Sequence, residues 1–190
     1  DSTSLALTGE LDIIIWAKWT STTTGMYLLS KRIEGDVFQP NVYQNNVFTA
    51  LSDLGIGIQV NAVTAGDVRV SLGATSVTSS TAGYNDGEWH LVEIKRDENN
   101  LVTLSIDTVS KGTVTSAVDL SASTSYEIGH EATAGYFNGQ ISRLRLYKGD
   151  TLSSEDSTRI FTKRNPRTTL KFGGYVTKVE NVISQKDVIA

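Results

Sequence analysis

Residues 85–96 read NDGEWHLVEIKR, and this stretch decides the fold because it joins a tight turn directly to a β-strand. Successive side chains of a strand point to opposite faces, so His90, Val92 and Ile94 share one face and the intervening residues share the other. Both faces are apolar at first, which predicts that the strand enters between two packed layers. The face carrying Trp89 becomes polar in the second half, and we expect that half to emerge at the surface.

The next segment completes a hairpin. Residues 101–107 alternate more strictly, with Val102, Leu104 and Ile106 on the inner face, and the polar residues 97–100 (DENN) form the turn before them. The two strands together predict the centre of an antiparallel sheet.

Period-two segments fill most of the remaining chain. Strands are predicted at 5–7, 13–19, 26–30, 47–51, 56–60, 68–72, 113–118 and 126–129. Residues 73–83 are an edge strand or a loop, and 32–44 are a long exposed loop. The pattern predicts an all-β fold, a two-sheet antiparallel sandwich.

One later strand contains a break in this alternation. Ile141 is three residues from Leu144, whereas Leu144 and Leu146 are two apart. If all three face the core, one extra residue must be absorbed near Ser142 and Arg143, which is typical of a β-bulge.

The one helix predicted for the chain lies near 153–162. Ser153 is a suitable N-cap, and the acidic residues Glu155 and Asp156 in the first turn suit the positive end of the helix dipole.

Composition limits the function classes. A chain of 190 residues with 39% hydrophobic residues can bury a core as one domain, and a net charge of −4 argues against a nucleic-acid partner. The charge is uneven: residues 1–100 hold 6 basic and 12 acidic residues, and residues 101–190 hold 11 and 9. The absence of Cys excludes disulfides and thiolate metal sites, and no apolar run approaches the about 20 residues that span a membrane.

The pattern changes after the helix, so we divide the chain into a sandwich at 1–163 and a C-terminal extension at 164–190. The extension is apolar and basic, and residues 157–179 contain six basic residues and no acid. It either adds strands to the sandwich or is an arm that docks on a partner surface, such as another copy in a homo-oligomer or larger assembly. The docking residues predicted for such an arm are Arg167, Lys171, Phe172 and Tyr175.

Three segments carry a family resemblance. Residues 11–18 (LDIIIWAK), 86–92 (DGEWHLV) and the closing part of 126–161 occur in the order typical of the laminin G-like branch of the concanavalin A-like lectin/glucanase superfamily, which the chain resembles. The resemblance implies a jelly-roll sandwich. The shared positions are mostly fold residues, so they transfer no ligand.

Several conspicuous side chains are expected to be structural. Trp16 and Trp89 lie on apolar strands and are predicted to pack in the core, whereas Trp19, at a strand end, could equally be a platform for a sugar ring. His90 shares a face with Val92 and is predicted to be buried and hydrogen-bonded. His130 follows a strand end and is expected to be exposed.

A glycoside hydrolase of this superfamily would need carboxylates on one strand face. The Glu-x-Asp-x-Glu triplet of the related glucanases is absent, which argues against an enzyme. Acid pairs two residues apart fall in turn or strand-entry sequence, where we expect solvated side chains. These pairs are Glu10 and Asp12, Glu34 and Asp36, and Asp86 and Glu88.

Two kinds of binding site remain as candidates. Laminin G-like modules often hold one Ca²⁺ in a rim loop, so the resemblance makes calcium the one candidate cofactor, with Glu34 and Asp36 as oxygen ligands. Glycan binding would use exposed aromatic rings beside amides, since rings supply flat apolar area and amides directional hydrogen bonds. The candidate pairs are Tyr43 with Asn41, Tyr84 with Asn85, and Tyr136 with Asn138.

Three functions are compatible with this sequence. The first is a non-catalytic glycan-binding or adhesive module displayed on a larger assembly, extracellular or on a particle surface. The second is a structural decoration protein of a viral particle, anchored by its C-terminal arm. The third is an atypical glycoside hydrolase.

Overall fold

The computed structural model of the protein describes residues 9–32, 54–120, 126–131 and 135–163. Within them the chain forms ten strands and one helix. The strands are β1 Leu11–Trp19, β2 Met26–Arg32, β3 Leu54–Val60, β4 Val68–Leu72, β5 Thr75–Thr78, β6 His90–Arg96, β7 Leu101–Ile106, β8 Val109–Thr115, β9 Tyr126–Ile128 and β10 Gly139–Lys148, and the helix is α1 Ser154–Lys163.

The strands form two antiparallel sheets of five strands each, ordered β10-β1-β6-β7-β8 and β5-β4-β3-β2-β9. This confirms the predicted two-sheet sandwich with one short helix. The predicted hairpin is also confirmed, because Val92 pairs with Ile106 and Ile94 with Leu104. Its first strand, β6, lies at the centre of the first sheet. That sheet joins distant parts of the chain, since β1 pairs with β10 from Leu11↔Lys148 to Trp19↔Gly139.

The main core lies between the sheets and is built from their inward-facing apolar residues. Alternate residues of β1 and β6, such as Ile13, Ile15, Val92 and Ile94, pack there against residues of the second sheet such as Ile58. The predicted inner face of β6 is therefore correct.

A second, smaller apolar cluster lies on the outer face of the first sheet. Ile14, Trp16 and Leu91 pack there against Ile160 of α1, and the rings of Trp16 and Phe161 stack with their centroids 5.9 Å apart. The helix therefore covers this face, which explains why β1 is apolar on both sides.

The end of β6 does not reach the surface, and that part of the prediction was wrong. Glu93 is only 2% exposed, and its Oε1 accepts a hydrogen bond from the Ser157 hydroxyl at 2.6 Å. The Lys95 ammonium lies 3.3 Å from the same oxygen and donates to Ser157 Oγ. Helix α1 supplies partners for both polar residues, so Glu93 is buried and Lys95 is partly buried.

The prediction that Asp12 is a solvated turn acid was also wrong. Its side chain is fully buried on the same face as Glu93, and its Oδ2 accepts a hydrogen bond from the Leu152 N–H at 3.0 Å. Its other oxygen has no hydrogen-bond partner. Burial, together with the charge of Glu93, raises the pKa of Asp12 to about 8. The loop that leads into α1 closes over this carboxyl group.

The burial of the three tryptophans agrees with the prediction for Trp16 but not for Trp19 and Trp89. Trp16 is buried as expected, and Trp19 is also buried, which removes it as an exposed platform. Trp89 is only partly buried at the margin of the outer cluster, because it precedes β6 in the connecting loop instead of lying within the strand.

The two local signals near the end of the sandwich are confirmed. Ile14 pairs with Arg145 and Trp16 with Ser142, so β10 holds one extra residue, and Arg143 adopts a φ of 53° there. The Ser153 hydroxyl accepts a hydrogen bond from the Asp156 N–H at 3.1 Å, which makes it the N-cap of α1.

The remaining boundaries are close to the predictions. The 73–83 segment contains an edge strand, β5, and β8 begins four residues before the predicted 113 because it continues directly from the turn after β7. The predicted strands at 5–7 and 47–51 and the extension at 164–190 lie outside the described residues. Of the loop predicted at 32–44, only Arg32 is described, and it ends β2 instead of belonging to a loop. In the described part of the chain, no helix has the length and apolar character needed to cross a membrane.

Candidate functional site

Several loops meet at one end of the sandwich, which we call the loop end. They connect β1 to β2, β3 to β4, β5 to β6, β7 to β8 and β9 to β10. Antiparallel pairing places all these connections at the same end. The candidate aromatic residues Tyr84 and Tyr136 both belong to them.

Asn61 organises the loop end from inside. It is fully buried and has a φ of 53°, a left-handed conformation that Asn tolerates better than most residues. Its Oδ1 accepts hydrogen bonds from Trp19 Nε1 at 3.2 Å and from the Gly66 N–H at 2.7 Å. Its Nδ2 donates to the carbonyls of Ser21 at 2.8 Å and Thr23 at 2.9 Å. One side chain therefore joins the β1–β2 loop, the β3–β4 loop and the end of β1.

Asp67 completes the β3–β4 loop. Its buried carboxylate accepts hydrogen bonds from the N–H groups of Ala62, Val63 and Thr64 at 2.6, 3.0 and 2.8 Å. These donors occupy the carboxylate, so Asp67 shapes the loop instead of presenting a charge to a ligand.

His90 is held between two carboxylates, as predicted for a buried and hydrogen-bonded imidazole. Its Nδ1 lies 2.7 Å from Asp107 Oδ2, and its Nε2 lies 3.1 Å from Asp86 Oδ1. Asp107 also accepts a hydrogen bond from the Leu91 N–H at 2.9 Å. The imidazole thereby connects the β5–β6 loop to the β7–β8 turn.

These contacts shift the pKa values of His90 and Asp86. Burial alone lowers the pKa of His90, but the hydrogen bonds and charges of Asp107 and Asp86 outweigh it and hold that pKa above 6.5. For Asp86, burial is the largest single influence and raises the pKa, but the hydrogen bonds from the Glu88 N–H and from His90, together with the charge of His90, outweigh it and hold that pKa below 3.8. Protonated His90 therefore stabilises the loop end. That contribution is complete below the pKa of an unfolded histidine and is lost as the pH rises through the higher folded value.

We expect Asp107→Asn to lower the pKa of His90, because it removes the carboxylate that lies nearer to the imidazole, at 2.7 Å compared with 3.1 Å for Asp86. The chain has 2 histidines, so NMR titration of the imidazole resonances resolves each one. Asp97→Asn, in the turn at the opposite end of β6, is the control and should leave the titration of His90 unchanged. An unaltered His90 titration in Asp107→Asn would contradict this assignment.

A series of aromatic contacts crosses the loop end. Tyr84 packs edge-on against His90 with centroids 5.1 Å apart, His90 against Trp19 at 6.1 Å, and Trp19 against Phe137 at 6.2 Å. Phe137 directly follows Tyr136, so the series reaches from one candidate aromatic cluster to the other.

Tyr84 and Asn85 serve mainly to pack the loops. The Tyr84 ring is half-buried, its hydroxyl lies 2.7 Å from Thr81 Oγ1, and its N–H donates to the Gly66 carbonyl at 3.0 Å. Asn85 packs against Gly66, whose φ of 81° and crowded surroundings leave no room for a side chain. This pair offers a ligand little free surface.

Tyr136 and Asn138 are different, because both are exposed. Tyr136 is 58% exposed, and its ring packs against His130 with centroids 5.6 Å apart and an interplanar angle of 32°. His130 is itself half-buried, not exposed as expected, and its Nδ1 lies 3.6 Å from Glu127 Oε2. A flat aromatic face, an amide and a polar pair therefore lie together at the edge of the second sheet.

Comparison with known proteins supplies the family. Residues 2–156 match a laminin G-type family model described as "Concanavalin A-like lectin/glucanases superfamily". The chain belongs to this superfamily. A search of curated proteins returned no match.

Solved structures share the fold of this superfamily member. The Ruminococcus gnavus IT-sialidase CBM40 superposes with a TM-score of 0.61 at 18% identity, over 83% of this chain and 85% of that one. Domain 4 of AbnA, a GH43 extracellular arabinanase from Geobacillus stearothermophilus, gives 0.59 at 18% identity over 84% and 69%. The SAP-like pentraxin of Limulus polyphemus gives 0.57 at 14% identity over 86% and 74%. At these identities the likeness shows the fold alone.

The other candidate residues of this laminin G-like domain lie outside the described residues and stay predictions. The described residues hold no group of three or more His, Cys, Asp or Glu side chains suited to a metal ion. The predicted calcium site at Glu34 and Asp36 lies outside these residues and is untested. So are the pair Tyr43 and Asn41 and the docking residues Arg167, Lys171, Phe172 and Tyr175.

Sequence reasoning missed Asn61, Asp67 and Asp107. A signal was present, because each is an Asn or Asp at the first or last position of a short loop beside a strand. Such side chains favour hydrogen bonds to nearby backbone groups and tolerate left-handed conformations.

Proposed function

We propose that this laminin G-like domain is a non-catalytic glycan-binding module and that its ligand stacks on Tyr136. The observation that carries this proposal is the 58% exposure of Tyr136, a large aromatic ring at the loop end, beside the exposed amide of Asn138. A sugar ring offers one apolar C–H face and several hydroxyls. An aromatic face with adjacent amide and imidazole groups matches both.

The β9–β10 loop is anchored on both sides of Tyr136. The Gly135 carbonyl accepts a hydrogen bond from the Tyr27 N–H at 2.8 Å, and the Phe137 N–H donates to the Gly129 carbonyl at 2.7 Å. Phe137 then packs on the buried Trp19. The two residues that flank Tyr136 are therefore held by backbone hydrogen bonds, and preorganisation of this kind favours binding.

The structural neighbours support a glycan ligand without fixing its identity. The CBM40 of the Ruminococcus gnavus IT-sialidase has been solved bound to alpha2,3 sialyllactose, and the AbnA domain in complex with arabinotriose. Proteins with this sandwich therefore bind saccharides, and the same class of ligand is proposed here.

The carboxylates support a non-catalytic role. A glycosidase needs two carboxyl groups that both face the scissile bond. Asp12 is instead buried beneath the loop into α1, and Asp86 is held by His90 and by the Glu88 N–H at 2.8 Å. The carboxyl groups of Asp12 and Asp86 are therefore both used within the fold.

Tyr136→Ala is expected to weaken glycan binding about five- to 100-fold, if a sugar stacked on the ring contributes the about 1–3 kcal/mol that a stacked base does, since 1.4 kcal/mol is a factor of ten. Stability should change by less than about 1 kcal/mol because the ring is exposed. A glycan array identifies the ligand, and calorimetry on the best saccharide measures the loss.

Two variants control this experiment. Tyr136→Phe keeps the ring and should retain most of the affinity. Leu101→Ala removes another exposed apolar side chain, 40% exposed at the opposite end, and should not change binding. Equal affinity in Tyr136→Ala and in the wild type would refute the proposed site, and silence of the whole array would refute the function.

The place of the module in a larger assembly is a further part of the proposal. Residues 164–190 combine apolar residues with Arg167 and Lys171, a composition suited to docking on an acidic protein surface of an extracellular structure or particle. The virion-decoration role differs from the glycan-binding role in one respect. It requires a repeated contact through this segment in the native particle, which electron microscopy would reveal.

A further inference from the structure

Helix α1 covers the outer face of the first sheet but takes no part in the main core. Both sheets are held together by pairing among their own strands. Among the described residues, the buried main core extends from Leu11 to Leu146 and includes none from α1. Of the 10 residues of α1, Ser157 and Ile160 are buried. The main core therefore does not depend on α1 for its packing.

Polar contacts join α1 and its preceding loop to this outer face. The Ser157 hydroxyl donates to Glu93 Oε1 at 2.6 Å and accepts from the Lys95 ammonium at 2.9 Å. Asp12 Oδ2 accepts a hydrogen bond from the Leu152 N–H at 3.0 Å. Asp12 Oδ1 is buried and has no partner among the described residues, although buried polar atoms are normally hydrogen-bonded. The loop therefore encloses the Asp12 carboxyl group without satisfying it.

The charges around Asp12 do not balance. Glu93 and Asp150 oppose ionisation of the Asp12 carboxyl group, whereas Lys95 favours it. If Asp12 and Glu93 were both ionised, their cluster with Lys95 would carry a net negative charge in a buried position, where charge is costly. Burial and Glu93 accordingly raise the pKa of Asp12 from 3.8 to about 8.

The other ionisable groups near this face leave Asp12 as the group that responds to α1. Glu93 already has Ser157 and Lys95 as partners. Tyr147 lies opposite Asp12 on β10, and its hydroxyl lies 3.4 Å from Arg145 NH1. Glu10, which precedes β1, is half-buried, as is one charged residue of α1, and the other three of α1 are exposed; these four are Asp156, Glu155, Arg159 and Lys163.

We propose that α1 is a latch held closed by the proton on Asp12. Loss of that proton favours an open form, in which α1 and the loop 149–153 leave the first sheet while the sandwich remains folded. In the open form water reaches the Asp12 carboxylate. Opening also uncovers the apolar strip of Ile14, Trp16 and Leu91. Because residues 164–190 continue directly from α1, it releases the point at which that extension is attached.

The pH range of the effect follows from the two forms of Asp12. The closed form keeps its proton up to about pH 8, whereas the open form keeps it only up to the ordinary aspartate value of 3.8. The closed form is therefore most favoured below the lower value. The open fraction should rise up to about tenfold with each pH unit and level off above the upper value.

Hydrogen exchange followed by mass spectrometry tests the latch in the full chain. Protection is measured at several pH values between 3.8 and 8 and corrected for the pH dependence of the chemical exchange rate. Residues 150–163 should lose protection by up to about tenfold per pH unit. At each pH they should exchange at least about tenfold faster than β7, because α1 opens without global unfolding.

Three variants identify the cause. Asp12→Asn has no proton to lose at this position, so the protection of α1 should not change with pH. Glu155→Gln removes an exposed carboxylate of α1 and should behave as the wild type does. Ile160→Ala keeps Asp12 and the wild-type pH dependence but should raise the exchange of α1 about 30-fold or more at every pH, because a buried contact is lost.

Two results in the wild type would overturn the latch. One is equal protection of α1 and β7 at every pH, which would mean that α1 opens only when the whole domain unfolds. The other is a protection of α1 that does not change with pH. An unchanged pH dependence in Asp12→Asn would likewise overturn it, because another group would then control the opening.

Discussion

Asn61→Ala is expected to lower the free energy of unfolding by more than about 3 kcal/mol, because each buried donor or acceptor left unpaired costs about 1–3 kcal/mol. The substitution removes a hydrogen-bond partner from four groups at once: the buried N–H groups of Trp19 Nε1 and Gly66, and the part-buried carbonyls of Ser21 and Thr23. Urea unfolding followed by tryptophan fluorescence measures the change. The Trp19 emission should also shift to the red as water enters the loop end.

Asn100→Ala separates the hydrogen bonds from the backbone. Asn100 has a φ of 62°, close to the 53° of Asn61, and lies in the turn between β6 and β7. Its substitution should cost about 1 kcal/mol, the penalty of placing a residue other than Asn or Gly in the left-handed region. If the two variants lost equal stability, the backbone conformation and not the hydrogen-bond network would explain the effect.

Asp12→Asn is expected to leave the protein more stable than the wild type above about pH 8. The pKa of Asp12 rises from 3.8 to about 8 because of its burial and the nearby charge of Glu93. The folded state therefore retains a proton that the unfolded chain releases, and wild-type stability falls as the pH rises between those two values. Each pKa unit corresponds to about 1.4 kcal/mol, so the loss amounts to several kcal/mol. An amide at this position stays neutral and avoids that loss.

Urea unfolding of both proteins across this pH range gives the comparison. The two should have similar stability near the lower limit of the range, where Asp12 is neutral, and should diverge toward the upper limit. Glu155→Gln removes an exposed carboxylate from α1 and should retain the wild-type pH dependence. Parallel stability curves for Asp12→Asn and wild type would show that Asp12 is ionised in the folded protein at neutral pH.

Alternation along single strands could be predicted from the sequence. The inward positions of Val92 and Ile94, the hairpin between β6 and β7 and the bulge at Arg143 all follow from a period of two residues, or from its interruption. These features depend on local geometry and on the simple requirement that one face be apolar.

Features that depend on distant contacts could not be predicted in the same way. The polar residues Glu93 and Asp12 look like surface residues until α1 and its preceding loop, more than 55 residues away in sequence, are placed over them. The candidate site shows the same limit. The sequence made Tyr84 and Tyr136 equal candidates. Only the structure distinguishes them, because Tyr84 packs against His90 whereas Tyr136 is exposed to solvent.

The pairing of β1 with β10 has a consequence for synthesis on the ribosome. β1 is made first, yet its neighbours on the two sides arrive much later, with partners such as Ile94 for Ile13 and finally Lys148 for Leu11. Until then the apolar β1 segment remains unpaired in the nascent chain. Contacts of such long sequence separation also form slowly. The interval before residue 148 emerges is therefore the period in which this protein depends most on protection from aggregation.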